Sequence, residues 1–103
     1  MGKIFAIIDL KCRPEREFGF DRIALRVARF PQIIDVAVVS GRADLTVKIA
    51  GKNIDEISRF VTEILAPMEN VRSTSTQFFL KKYKSDGKIL VDEPKNSRLP
   101  ISA

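Results

Sequence analysis

The sequence contains no histidine and a single cysteine, Cys12. Without His there are no imidazole metal ligands, no imidazole general base and no His-based pH switch. One Cys makes neither an internal disulfide nor a thiolate metal site. With no imidazole partner, Cys12 reads as a small structural residue rather than a nucleophile. No metal or cofactor is expected, and the scarcity of Cys fits a reducing, cytoplasmic setting. Long apolar runs are also missing: none approaches the roughly 18 residues of a membrane-spanning helix. The apolar run after Lys3 stops at Asp9 with no A-x-A site, so no secretory leader is read. Met1-Gly2 lacks a myristoylation context, because Ala6 stands where Ser or Thr is needed.

What is present is ordinary for one globular domain. The chain has 103 residues, 45% hydrophobic and 30% charged. That length suits one domain with at most a short tail, and the apolar fraction excludes a disordered chain. The net charge is +5, from 18 Lys and Arg against 13 Asp and Glu. A basic balance fits an anionic partner or plain solubility. Distribution favours the second reading: Arg13, Arg16, Arg22, Arg26 and Arg29 alternate with Glu15, Glu17 and Asp21. No run of five like charges occurs.

Hydrophobic spacing predicts the elements. Lys3 to Leu10 (KIFAIIDL) is a strand, with Ile4, Ala6, Ile8 and Leu10 on one face and Phe5 and Ile7 on the other. Arg13-Pro14-Glu15 is read as a helix start. Phe20, Ile23, Val27 and Phe30 then fall at helical spacing, with Ala24 beside them, until Pro31. Ile33–Ser40 and Ala43–Ala50 are strands joined by a tight hairpin at Ser40-Gly41-Arg42. Asn53 with Glu56 resembles a capping box ahead of an amphipathic helix carrying Ile54, Ile57, Phe60, Val61, Ile64 and Leu65 up to Pro67. Val71–Tyr83 is a long strand. Asp86-Gly87 is a turn, with Lys88–Val91 folding back as a short strand. Residues 94–103 read as a tail, in which Leu99 and Ile101 suggest partial order at a subunit contact.

The order β-α-β-β-α-β is the ferredoxin-like arrangement: an α+β fold with two helices on one face of a four-stranded antiparallel sheet. The opposite face, with Phe5 and Ile7, is left uncovered, which predicts a homodimer. This scaffold does not name a function. RNA recognition needs aromatics on the two central strands, and ADLTVKIA has none. Catalysis needs a nucleophile with a base, whereas Asp9, Asp35 and Asp44 are lone carboxylates. Binding of a small polar molecule at a subunit contact has more support. Gly41 permits close backbone approach, Asp44 offers a carboxylate to an ammonium, and Thr74, Ser75 and Thr76 offer hydroxyls. A turn glycine, a solvated acid and strand hydroxyls would look the same.

The stretches KIFAIIDL, PQIIDVAVVSGRADLTVKI and ISRFVTEILAPMENVRSTSTQFFLK resemble the effector domain of the Lrp/AsnC family, also called the RAM domain (regulation of amino acid metabolism). The likeness covers Lys3 to Lys84, so residues 1–84 are taken as the domain and 85–103 as a hairpin return and tail. The resemblance implies a dimer through paired sheets, higher assembly such as an octamer, and amino acid effectors held in clefts between dimers. Carried onto this chain, the ligand-binding positions are Gly41, Arg42, Ala43, Asp44, Thr74, Ser75 and Thr76. Asp44 would pair the effector's ammonium, while backbone N–H groups near Gly41 and a hydroxyl would hold its carboxylate. Ala43 stands where the family often has an aromatic, implying a larger or differently selective pocket. Family regulators also carry an N-terminal helix-turn-helix domain, and with a first strand at Lys3 the chain is expected to be either a stand-alone RAM protein or an excised effector half. The expectation is a non-enzymatic effector module that does not bind DNA itself and co-assembles with itself or with full-length relatives. The alternative is a purely structural dimerisation module.

Overall fold

The computed structural model describes residues 2–94. Four strands build one antiparallel sheet: β1 Ile4–Cys12, β2 Ile33–Val38, β3 Leu45–Gly51 and β4 Val71–Phe78, in the order β2-β3-β1-β4. Helices α1, Asp21–Ala28, and α2, Ile54–Phe60, cover one face. This is the ferredoxin-like fold expected. The expected turn at Asp86-Gly87 forms, but its return strand, β6 Lys88–Ile89, pairs with a separate short strand, β5 Lys84–Ser85, and not with β4. The turn has φ of 50° at Asp86 and 79° at Gly87, the double positive φ of a tight hairpin. The expectation for Leu99 and Ile101 lies outside the described residues.

Strand alternation sorts the side chains. Ala6, Ile8, Leu10 and Cys12 of β1 and Leu45, Val47 and Ile49 of β3 are buried beneath the helices. They meet Ile23 and Val27 from α1 and Ile57, Phe60, Val61 and Leu65 from the second helix. The Phe30 and Phe60 rings meet edge to face at 5.3 Å, joining the end of α1 to α2. On the uncovered face, Phe5 and Ile7 continue into Asp9 and Lys11 along β1. Thr46, Lys48 and Ala50 flank them on β3, and Ser73, Ser75 and Gln77 on β4. The face is therefore apolar at the Phe5 end and polar at the other, rather than apolar throughout.

Several local expectations change. The last long strand ends at Phe78 rather than Tyr83, and the β2–β3 connection spans residues 39–44 rather than a tight turn at 40–42. The first helix starts at Asp21, not near Pro14. Glu15 and Gly19 exchange backbone hydrogen bonds of 2.8 and 2.9 Å, closing a small loop that Gly19 completes at φ 58°. Such a positive φ excludes a helix through this point. Next, Asn53 caps α2 by accepting the Glu56 N–H at 2.8 Å, but the Glu56 carboxylate accepts from the Lys52 N–H, one residue before the cap. Lastly, α2 runs on into a π turn over Val61–Leu65, where the Ala66 N–H reaches the Val61 carbonyl at 2.8 Å. Ile54, at the start of α2, and Ile64, within the π turn, are exposed, while Phe60, Val61 and Leu65 face the core.

Candidate ligand-binding cleft

The β2–β3 connection, residues 39–44, lies over the Cys12 end of β1. It is pinned there by backbone bonds from the Val39 N–H to the Asp44 carbonyl (3.0 Å) and from the Asp44 N–H to the Leu10 carbonyl (2.9 Å). Gly41 sits at φ 147°, a conformation open to Gly and strained for other residues. This turn, the end of β1 and the middle of β4 enclose a cleft of about 410 Å³ lined by Asp9, Lys11, Arg42, Ala43, Ser73, Ser75 and Gln77. That size falls within the roughly 300–1,000 Å³ of small-ligand pockets.

The expected site residues divide across the sheet. Arg42, Ala43 and Ser75 line the cleft. Thr74 and Thr76 pair with Leu10 and Ile8, which places them on the helix side of β4. Adjacent strand residues face opposite ways, so three successive hydroxyls cannot share one wall. Asp44 is turned inward as well: its Oδ2 accepts the Cys12 N–H at 2.8 Å. It thus acts as a cap for the end of β1. Burial, aided by the Asp44 charge, pushes the Cys12 thiol up to about 11. That keeps the thiol protonated and unreactive at neutral pH.

The carboxylate that does line the cleft is Asp9. It accepts one hydrogen bond, from Thr46 Oγ1 at 3.2 Å, and makes no ion pair within 4 Å among the described residues. Lys11 and Arg42 are likewise without a carboxylate partner among these residues. The cleft therefore holds one anion and two cations, with Ser75 paired beside Asp9 and Ser73 beside Lys11. This arrangement matches a zwitterion. A larger depression of about 530 Å³ runs along α2 from Lys52 to Ile64. It is formed by one helix flank and brings no groups together from different elements. Asp9 was read from the sequence only as a lone carboxylate, and Lys11, Ser73 and Gln77 were not singled out. The signal for them was the period of two: Asp9 and Lys11 continue the Phe5–Ile7 face.

The Lrp/AsnC ligand binding domain matches residues 5–89. The HTH-type transcriptional regulator YugG of Bacillus subtilis is 40% identical over 99 residues, covering 96% of this chain and 60% of that protein. Among solved structures, the protein TTHA0845 of Thermus thermophilus superposes with TM-score 0.71 at 26% identity, over 80% of this chain and 99% of that one. A transcriptional regulator of Neisseria meningitidis, solved as a complex with L-Met, shares the fold with TM-score 0.70 at 19% identity, over 84% of this chain and 56% of that one. This chain thus spans only part of the length of the regulators it resembles.

Proposed function

The chain belongs to the Lrp/AsnC ligand-binding-domain family, and from that premise we propose that it is an amino-acid-responsive, non-enzymatic regulatory domain of the cytoplasm. The observation that carries this reading is the cleft that sets Asp9 against Lys11 and Arg42. An α-amino acid presents an ammonium to Asp9 and a carboxylate to Arg42 and Lys11, both charge-assisted contacts. The side chain lies toward Ala43, whose small size leaves room. The cleft opens onto the uncovered sheet face, so a second copy packed there supplies its missing wall. Binding then favours the assembled form by mass action. Ligand and assembly are thereby coupled in both directions. On this reading the domain forms homodimers and larger rings such as octamers, with itself or with longer relatives. Its own residues make no sequence-specific DNA contact, which a mobility-shift assay checks directly.

The test is a thermal-shift screen of the twenty amino acids. The expected result is a concentration-dependent rise in Tm with at least one of them. Asp9→Asn and Arg42→Gln each abolish that rise while leaving the Tm without ligand close to that of the parent. No rise with any amino acid, for a chain that still assembles, leaves a purely structural dimerisation module. A normal response from Asp9→Asn moves the ammonium site elsewhere, with the remaining oxygen of Asp44 the next position to examine.

A further inference from the structure

The cleft beneath the β2–β3 connection carries more positive than negative charge. Its charged lining is Asp9, Lys11 and Arg42. Neither cation has a carboxylate within 4 Å among the described residues. Neither lies over an aromatic ring there, whereas Lys48 stands 5.5 Å from the Phe5 ring centroid and Lys82 5.1 Å from that of Phe79. Asp44, the acid nearest to Arg42 in sequence, is turned inward on the Cys12 N–H at 2.8 Å. Residues 95–103 contain no Asp or Glu. A second copy packed on the uncovered face does not restore the balance. Asp35 pairs with Lys48 on that face, so the copy brings Asp9 and Asp35 together with Lys11 and Lys48. Those charges cancel, and the copy's own Arg42 adds to the surplus.

An amino acid with a neutral side chain leaves this lining unbalanced. Its ammonium offsets Asp9, and its single carboxylate has to serve two cations. An amino acid with a second carboxylate meets the three charges one to one. The placement of the groups agrees. Asp9 and Lys11 point the same way from β1, roughly 6.6 Å apart along the strand. The Asp44 N–H bond to the Leu10 carbonyl, 2.9 Å, sets the Ala43–Asp44 peptide beside the Leu10–Lys11 peptide. Ala43 and Lys11 thus share one side of the cleft. A side chain that passes the small Ala43 ends at the Lys11 ammonium. The planar guanidinium of Arg42 suits an α-carboxylate, which it can hold with two parallel bonds. The flexible stem of Lys11 lets its point charge follow a distal carboxylate.

We propose that the effector is an acidic α-amino acid, glutamate or aspartate, with its ammonium on Asp9, its α-carboxylate on Arg42 and its side-chain carboxylate on Lys11. This rests on the amino-acid reading above and narrows it, and the two fail separately. The test is isothermal titration of the full chain with L-glutamate, L-glutamine, L-aspartate and L-asparagine at one fixed salt concentration. Each amide keeps the shape of its acid and removes only the distal charge. At least one acid binds about tenfold or more tighter than its own amide. Lys11→Gln brings that acid down to the level of its amide. The same variant leaves the amide's affinity and the Tm without ligand unchanged. An amide that binds as tightly as its acid overturns the acidic preference and leaves the amino-acid site standing. So does heat from neither acid when another amino acid raises the Tm. A preference that survives Lys11→Gln overturns the assignment of the distal carboxylate to this cleft. No response to any amino acid removes both proposals.

Discussion

Asp9 and Asp44 are both single carboxylates near strand ends, and their surroundings give them different tasks. Asp44 turns inward to accept the Cys12 N–H, while Asp9 faces the cleft and holds only the Thr46 hydroxyl. Asp44→Ala leaves the Cys12 N–H without an acceptor at a half-buried position. Loss of such a bond to a charged group is expected to lower stability by about 1.5–3 kcal/mol in urea unfolding. Cys12 supplies a pH test. Its thiol is raised from an ordinary 9.0 to about 11 by burial first and by Asp44 second. A group with a raised folded pKa contributes stability that is complete below its unfolded pKa and is lost as pH rises through the folded one. Stability should therefore fall between about pH 9 and 11, and less steeply in Cys12→Ala. The same thiol should resist alkylation at neutral pH in the folded chain and react once unfolded. Asp44→Asn should lower the thiol pKa only in part, because burial is the larger cause.

At the scale of elements, α2 is held by contacts that can be removed one at a time. Asn53→Ala deletes the cap and is expected to lower stability by roughly 1 kcal/mol. Gly51 lies directly beneath this helix. A Cβ there would stand 2.7 Å from Ile57 Cγ1. Gly51→Ala should therefore push α2 away from β3, lowering stability by about 1–3 kcal/mol; an unchanged urea midpoint would refute the close packing. The strands and the second helix were legible in the sequence because burial imposes clean periods on them, as in Leu45-Val47-Ile49. The start of α1 was not legible. Arg13-Pro14-Glu15 carries the local marks of a helix start, but the decision falls at Gly19, whose positive φ closes a loop on Glu15. The cleft was half legible. Arg42 and Ala43 were found because Gly41 marks the turn, although Gly41 itself is not among the residues that line the cleft. Thr74 and Thr76 were grouped with Ser75 because they are adjacent in sequence, whereas the pleat separates them. Asp9, a lone carboxylate in the sequence, joined the cleft only once the register set it beside Thr46 and Ser75.

At the scale of the molecule, one chain leaves a surface unfinished: the uncovered sheet face with Phe5 and Ile7. A partly polar face suits association that responds to ligand better than a wholly apolar one, since obligate interfaces are more hydrophobic. The central claim is that two copies complete what one begins, and that the effector cleft gains its last wall in doing so. Sedimentation velocity over a dilution series tests this most directly. The account predicts a species of two chains or a multiple of two, persisting to low concentration and strengthened by whichever amino acid raises the Tm. A compact single chain at the highest concentration reached would contradict it.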